Sequence, residues 1–262
     1  MATDLHTFNT SLGSTIEAHV TAALNESRMI WDPDKRYAQY RFVRQSQTFP
    51  DVILKAATPD APEPVIMGIE LKGWFALSKE GEPSFRYRAT PAVCMLQDLL
   101  VVFPWALSDV VAGRPLLFPP YIESARYVAE YRNWNWQHEK TGASALQLST
   151  AANPYPLKSE PIADEAINDK GGNFGRIART NLMDSFKNQV LAEELSGIPV
   201  QAWIKFLKIF SENTTLERAL AQIDNMTKNY SSTGLPLSLI AVANIRDALV
   251  EIANLLQALS GD

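Results

Sequence analysis

The sequence predicts a mixed α/β fold in which helices flank a central sheet, followed by an all-helical C-terminal region. Two apolar, β-prone runs at 52–57 and 65–77 are separated by a Pro-rich turn at 58–64. A fully apolar run at 99–105 is typical of a buried central strand. Helical periodicity precedes these runs and dominates the last third of the chain.

The core elements follow from local patterns. A first helix is predicted because Ile16, Val20 and Leu24 form one apolar stripe. A second helix is expected to begin at Thr90-Pro91, since Pro is favoured in the first helical turn. The predicted order is a helix at 14–27, strands at 37–47, 52–57, 65–77 and 84–88, a helix from Thr90, a strand at 99–105 and a helix at 119–136.

The rest of the chain has a different composition. An irregular connection at 141–172 is rich in Ser, Ala, Pro and Asn. Helical patterns then continue at 175–195, 200–210, 214–229 and 237–259, and Thr214-Thr215-Leu216-Glu217 has the form of a capping box. We therefore expect an α/β core at 1–145 and a helical region at 146–262, packed as one globular unit.

Composition restricts the class of protein. The 262 residues are 46% hydrophobic and 20% charged, which is typical of a soluble globular chain. No apolar run reaches the length of a membrane span, and residues 1–10 lack the pattern of a secretory signal, so we expect a cytoplasmic protein. The single cysteine excludes an internal disulfide and a Cys-rich metal site. The net charge of −5 means that any contact with nucleic acid must be local.

Three charged residues stand at the ends of apolar runs. Asp51 follows Pro50 directly before one run, and Glu70 and Lys72 point to the same side of the next predicted strand. If the two strands are neighbours, the three side chains converge. Two carboxylates and an ammonium suit a divalent metal and an attacking water, which is the equipment for phosphodiester hydrolysis. The alternative is a structural Glu70–Lys72 ion pair on an edge strand, because unpartnered charges are costly to bury.

These residues resemble a known family. Phe49-Pro50-Asp51-Val52 and Gly68-Ile69-Glu70-Leu71-Lys72 are similar to the motif of the PD-(D/E)xK nucleases, among them the type II restriction endonucleases, and the resemblance covers roughly residues 14–140. It implies a restriction-endonuclease-like core in which Mg²⁺ is held by Asp51, Glu70 and the backbone carbonyl of Leu71. Lys72 would orient the attacking water and stabilise the transition state, and Glu17 would be an accessory acid.

The function that the resemblance implies is a Mg²⁺-dependent, sequence-specific endonuclease that cuts double-stranded DNA, acting as a homodimer. The chain has no Gln-x-x-x-Tyr between Lys72 and Lys140, which the exonuclease branch usually has, and no P-loop, so we expect no nucleotide cofactor. Two alternatives remain open. One is an inactive nuclease-like fold that binds DNA or assists assembly, and the other is a structure-specific DNA-repair nuclease.

DNA contacts are expected at two places in the chain. Glycines at 171, 172 and 175 precede a predicted helix start, where amide donors and arginine side chains suit phosphate or guanine edges. The alternative is a flexible loop followed by a helix with exposed arginines. The helical region could contact DNA, form the dimer interface or cover the sheet. The predicted DNA-binding residues are Arg86, Arg88, Lys170, Asn173, Arg176 and Arg179.

Overall fold

The structure, a computed structural model, describes residues 2–45, 48–139, 145–209 and 215–232. It divides into two compact units at 1–200 and 201–262. The division falls after Val200 rather than at residue 145, because hydrogen bonds tie the intervening segment to the first unit: the Thr90 amide donates to the Ile162 carbonyl at 2.7 Å. The helix predicted at 237–259 lies outside the described residues.

A mixed six-stranded sheet forms the centre of the first unit. Its strands are β1 (Tyr40–Arg44), β2 (Val52–Ala56), β3 (Val65–Phe75), β4 (Leu99–Leu107), β5 (Pro115–Leu117) and β6 (Tyr121–Ser124). The first three strands are antiparallel neighbours, and β4 pairs with β3 in parallel. Both β5 and β6 pair with β4 in the antiparallel sense. The predicted sheet flanked by helices is confirmed.

One face of this sheet is covered by the helix α1 (Ala2–Glu26), which is followed by the short helix α2 (Arg28–Trp31). Val20 and Leu24 pack on a core cluster of Tyr40, Phe42, Val52, Leu54, Ile69, Leu71 and Val101. Asn25 fixes the helix to the edge strand, since its side chain donates to the Phe42 carbonyl and accepts from the Phe42 amide. Because Ile69 and Leu71 point towards α1, the alternate residues of β3 point to the opposite face.

The helix α3 (Ala125–His138) follows β6 directly. Its N-cap is Ser124, whose hydroxyl accepts from the Tyr127 amide. The helix predicted at 119–136 therefore starts later than expected, because residues 121–124 pair with β4 as a strand. Ala125, Val128 and Ala129 form the fully buried side of α3, which contacts β4 and β6.

Two predictions between β3 and β4 are wrong. The helix expected from Thr90 is only a 3-10 turn at Pro91–Val93, because the Asp98 carboxylate accepts from the Met95 amide and turns the chain into β4. The segment at 84–88 is extended but joins no described strand. Its Tyr87 amide donates instead to the Gly175 carbonyl at 2.7 Å.

The region from 146 onward is not all-helical. It contains two short antiparallel pairs, β7 (Leu146–Gln147) with β8 (Glu165–Ala166) and β9 (Glu194–Leu195) with β10 (Ile198–Pro199). The helix predicted at 175–195 is reduced to a 3-10 turn at Ile177–Arg179 and the helix α4 (Asp184–Ala192). The left-handed backbone of Gly197, with a φ of +77°, lies in the turn that joins β9 to β10.

The second unit agrees with the predicted pattern in its described part. Helix α5 (Val200–Ile209) leads into this unit, and α6 (Leu216–Ser232) lies within it, matching the helices expected at 200–210 and 214–229. Among the residues that the structure describes, no helix has the length and apolar character needed to cross a bilayer.

A buried ion pair holds α3 to the loops of the first unit. The side chains of Arg132 and Asp164 are only 1% and 0% exposed, and their N–O distance is 2.6 Å. Arg132 also donates to the carbonyls of Tyr87 and Ala89, at 2.9 and 3.0 Å. Asp164 accepts in addition from the Ser149 amide at 2.9 Å. Burial lowers the pKa of Arg132 to about 10 despite the attraction of Asp164.

Loss of this ion pair should be strongly destabilising. We expect Arg132→Met to lower the free energy of unfolding by about 3–5 kcal/mol, because it leaves the buried Asp164 carboxylate uncompensated. Arg126→Met is the matched control, since it removes an exposed i,i+4 pair with Glu130 and should cost about 0.3–0.5 kcal/mol. Urea unfolding of the two variants measures the difference, and equal losses would contradict the structural role of Arg132.

Candidate active site

Strand register brings the three predicted charged residues together. Val52 of β2 lies opposite Ile69 of β3 in an antiparallel pair, so one step back along the same register sets Asp51 opposite Glu70. Residues opposite each other point to the same face, and Lys72 follows on that face. The fields of Glu70 and Lys72 both act on Asp51, which agrees with this closeness. All three side chains therefore share the sheet face away from α1.

Two hydrogen bonds engage all three side chains. The Lys72 ammonium donates to Glu70 Oε1 at 2.5 Å, and Asp51 Oδ2 accepts from the Leu71 amide at 2.7 Å. The Lys72 and Glu70 side chains are 23% and 12% exposed. The ion pair of the structural alternative is thus present, but β3 lies between β2 and β4 and is not an edge strand. A simple pair also leaves the nearby Asp51 carboxylate unexplained.

The site holds more negative charge than one lysine can balance. Burial, and then repulsion from Glu70, raise the pKa of Asp51 to about 7, although Lys72 and the Leu71 amide act in the opposite direction. Burial alone would lower the pKa of Lys72, but the carboxylates of Glu70 and Asp51 outweigh it and the pKa is raised. Lys72 therefore keeps its proton at neutral pH and can donate hydrogen bonds, whereas it cannot serve as a base.

Glu17 lies within electrostatic reach of this group. Its charge makes a weaker contribution to the raised pKa values of Asp51 and Lys72. Its Oε2 accepts from Arg44 Nε of β1 at 2.6 Å, so α1 and the edge strand are joined by an ion pair. The position is compatible with the predicted accessory acid, but the carboxylate is already engaged by an arginine. The accessory role remains a prediction.

The donor set can be compared with the needs of Mg²⁺. The described parts of the chain contain no group of three or more His, Cys, Asp or Glu side chains arranged to hold a metal. The predicted site has two carboxylates, and each has a second oxygen beyond the one in the hydrogen bonds above. Hard cations bind such oxygens and retain waters, so a site with few protein ligands fits Mg²⁺ better than a metal that requires a closed cage.

The Leu71 carbonyl is oriented to complete this set. The amide and the carbonyl of one strand residue point to the same side of the strand, and the Leu71 amide points towards Asp51. Pro50, which directly precedes Asp51, has no N–H to donate to that carbonyl. A backbone oxygen therefore faces the same place as the two carboxylates, and the residues present fit the ion that the resemblance implies.

The structure brings the two predicted groups of DNA-binding residues together. The Arg86 guanidinium packs against Gly172, and the Arg88 side chain packs against Gly175, at positions where a Cβ would be crowded. Asn173 Oδ1 accepts from Arg179 at 2.7 Å. We call this surface the arginine surface and define it as Arg86, Arg88, Lys170, Asn173, Arg176 and Arg179.

The predicted phosphate site at a helix N-terminus is wrong. The Asp169 carboxylate accepts from the amides of Asn173 and Phe174, at 2.8 and 3.0 Å, so these donors are already used. A 3-10 turn rather than an α-helix follows. Acidic neighbours also contact the arginines, with Arg179 at 2.5 Å from Glu82 and Arg88 at 3.6 Å from Glu165. Only the arginine and lysine side chains remain to meet a phosphate.

Sequence reasoning missed a further, buried carboxylate close to the site, that of Asp98. Asp98 is 1% exposed and accepts from the amides of Gly68 and Met95, at 2.7 and 2.8 Å, and from the Tyr155 hydroxyl. An acidic residue directly before an apolar strand could have indicated it. Tyr155 gives no local signal, because it lies in an irregular segment 57 residues further along the chain.

Comparisons of the chain with protein-family models, with curated proteins and with solved structures found no match. The function of the chain is therefore inferred from the geometry and the charges of the site.

The raised pKa of Asp51 predicts a pH dependence of stability. Folding raises this pKa from 3.8 to about 7, so the native state holds the proton more tightly than the unfolded chain. Stability contributed by Asp51 is then complete below the unfolded pKa and is lost as the pH rises towards 7. We expect Asp51→Asn, without divalent cations, to be more stable than wild type at pH 8 by about 1–3 kcal/mol.

Chemical denaturation between pH 4 and pH 8 tests this expectation. Asp34→Asn is the control, because its side chain is 73% exposed and lies outside the site. The difference between wild type and Asp51→Asn should grow as the pH rises, whereas Asp34→Asn should run parallel to wild type. Parallel profiles for all three proteins would refute the electrostatic description of the site.

Proposed function

We propose that the protein is a Mg²⁺-dependent endonuclease that hydrolyses phosphodiester bonds of double-stranded DNA. The observation that carries the proposal is the pair of carboxylates, Asp51 and Glu70, held opposite each other beside a charged Lys72 on interior strands. Burial and repulsion from Glu70 oppose ionisation of Asp51 and raise its pKa to about 7. A carboxylate perturbed in the way that Asp51 is perturbed is a candidate for catalysis and for cation binding.

The fold lends further support to a restriction-endonuclease-like core. Asp51 directly precedes β2, and Glu70 and Lys72 lie on β3, which pairs with β2 in the antiparallel sense and with β4 in parallel. The opening helix α1 covers the other face, and the charge of its Glu17 has a weak effect on Asp51 and Lys72. One departure from the expected order is the absence of an α-helix between β3 and β4, where the described chain has only a 3-10 turn.

Each residue of the proposed site has a distinct task. Mg²⁺, when bound, would polarise the phosphate and lower the pKa of an attacking water. Asp51 and Glu70, with the Leu71 carbonyl, would hold the ion on the face away from α1. Lys72 stays protonated, so it orients the nucleophile and stabilises negative charge that develops on the phosphoryl oxygens. A lysine that keeps its proton does not serve as the general base.

The arginine surface is the proposed DNA contact. The buried Tyr87, which lies between Arg86 and Arg88 in the chain, has its ring 6.3 Å from that of Phe49, which directly precedes Pro50-Asp51. The charge of Glu70 also reaches Tyr87. Cations on both sides of a residue that is close to the carboxylates could bind the phosphate backbone next to the cut. We further propose a cytoplasmic homodimer, because two sites related by two-fold symmetry can address both strands.

Cleavage of plasmid DNA in Mg²⁺ tests the activity. We expect discrete fragments from wild type, none from Asp51→Asn, and a rate about 100- to 1000-fold lower from Lys72→Met, because each variant removes a group that binds the ion or stabilises the transition state. Lys55→Met is the matched control, since it removes an exposed lysine of β2 on the same sheet and should cut like wild type.

The outcomes separate the proposal from the two alternatives. Intact plasmid in every divalent ion, with DNA binding retained, would favour an inactive binding or assembly protein. Nicking of branched DNA, with linear plasmid left intact, would favour a structure-specific repair nuclease. Cleavage that survives Asp51→Asn would sink the assignment of the site.

The arginine surface predicts a salt-dependent contact. We expect Arg88→Gln to weaken DNA binding and to reduce the slope of log affinity against log salt by about 1, which corresponds to one lost phosphate contact. Arg36→Gln is the control, because Arg36 is also an exposed arginine, 77% exposed and paired with Asp34. Fluorescence anisotropy in Ca²⁺ at several salt concentrations measures both slopes, and identical slopes for the two variants would remove Arg88 from the contact.

A further inference from the structure

We propose that Tyr155 and Asp98 are positioning residues that hold Asp51 in place opposite Glu70. This proposal rests on the proposed function, and it adds two residues that the motif does not contain. Asp98 is the central group, because its carboxylate is buried and engages three donors at once. Two of them are the Gly68 and Met95 amides, at 2.7 and 2.8 Å, and the third is the Tyr155 hydroxyl.

Gly68 is the point of β3 at which Pro50 and Tyr155 make contact. It lies on β3 two residues before Glu70, at a separation of about 6.6 Å along the strand. A side chain at this position would point to the same face as Glu70. The ring of Pro50 and the hydroxyl of Tyr155 both press against the Gly68 backbone, and a Cβ there would be 2.9 Å from the hydroxyl and would overlap the ring. Pro50 and Tyr155 therefore both contact β3 at Gly68, where no side chain separates them from the backbone.

The contacts at Gly68 also restrict the Asp51 carboxylate. Pro50 immediately precedes Asp51, so the position of its ring sets where the Asp51 side chain begins. The Tyr155 hydroxyl is fixed by Asp98 and occupies the space next to the ring. Pro50 and the Tyr155 hydroxyl therefore lie side by side against β3 at Gly68, which limits the movement of Pro50 and, with it, of Asp51.

Tyr155 is itself held in an unusual backbone conformation. Its φ is +51°, in the left-handed region that residues other than glycine seldom adopt. Its amide donates to the Val93 carbonyl at 3.3 Å, next to the turn that Asp98 organises. A residue kept in a sparsely populated conformation, with its hydroxyl directed at a buried carboxylate beside the proposed site, points to a positional role.

Calorimetric titration with Ca²⁺ tests the proposal without relying on cleavage. We expect Tyr155→Phe to bind Ca²⁺ about tenfold more weakly than wild type, because loss of a residue that orients a metal ligand weakens metal binding by about 10- to 100-fold. In Mg²⁺, the half-saturating concentration should rise by a similar factor, while the single-turnover rate at saturating metal changes less than about threefold. A merely structural residue would not separate these two quantities.

Tyr131→Phe is the matched control. It also removes one hydroxyl, which donates to the Thr180 carbonyl at 3.0 Å away from the motif, and it should leave Ca²⁺ affinity unchanged. A Tyr155→Phe protein with wild-type Ca²⁺ affinity and wild-type Mg²⁺ dependence would overturn the proposal. A wild-type protein that neither binds Ca²⁺ nor cuts DNA would instead refute the proposed function, and the positioning role with it.

Asp98→Asn provides a second variant along the same line of contacts. If Tyr155 acts through Asp98, the double variant Asp98→Asn with Tyr155→Phe should bind Ca²⁺ no more weakly than Asp98→Asn alone. Losses of affinity that simply multiply would show that the two residues act independently and would overturn the shared mechanism.

Discussion

The antiparallel register between β2 and β3 is the constraint on which the rest of the first unit depends. It sets Asp51 opposite Glu70, and a shift by one residue would turn the carboxylates towards the apolar face that packs on α1. Several contacts oppose such a shift: Pro50 packs on Gly68, and Asp51 bonds the Leu71 amide. Because the buried side of each strand is specified by its apolar residues, the polar site is specified at the same time.

The loops beside the sheet depend on a different interaction. Arg132 donates to the carbonyls of Tyr87 and Ala89 and pairs with Asp164, which also accepts from the Ser149 amide. Its guanidinium lies 4.9 Å from the ring centre of Phe174, next to the glycines that contact Arg86 and Arg88. One buried arginine thus gathers three distant parts of the chain. The arginine surface owes its shape to a residue that does not belong to it.

The sequence allowed some features to be predicted because they depend on neighbours in the chain. Alternation along β3 and the short connection to β2 were enough to group Asp51, Glu70 and Lys72. The prediction of a helix start in the glycine-rich segment is wrong, because the Asp169 carboxylate caps the loop and the distant Tyr87 amide donates to the Gly175 carbonyl. The contact of Asp98 with Tyr155 had no local signal, since it joins residues 57 positions apart. Long-range hydrogen bonds therefore decided the positions of Tyr87 and Tyr155, whereas Asp169 acts within its own loop.

The energetics of the site also bear on whether it is structural. A salt bridge kept for stability needs one cation and one anion, and Lys72 with Glu70 supplies both. Asp51 adds a second carboxylate whose ionisation is opposed by burial and by Glu70, so by itself it weakens the fold at neutral pH. A bound cation would reverse the sign of that contribution, because it attracts both carboxylates and favours their charged forms. Under the proposed function, a net charge of −5 is compatible with a polyanionic substrate, since the charge next to the phosphate would be set by the ion, Lys72 and nearby arginines rather than by the total.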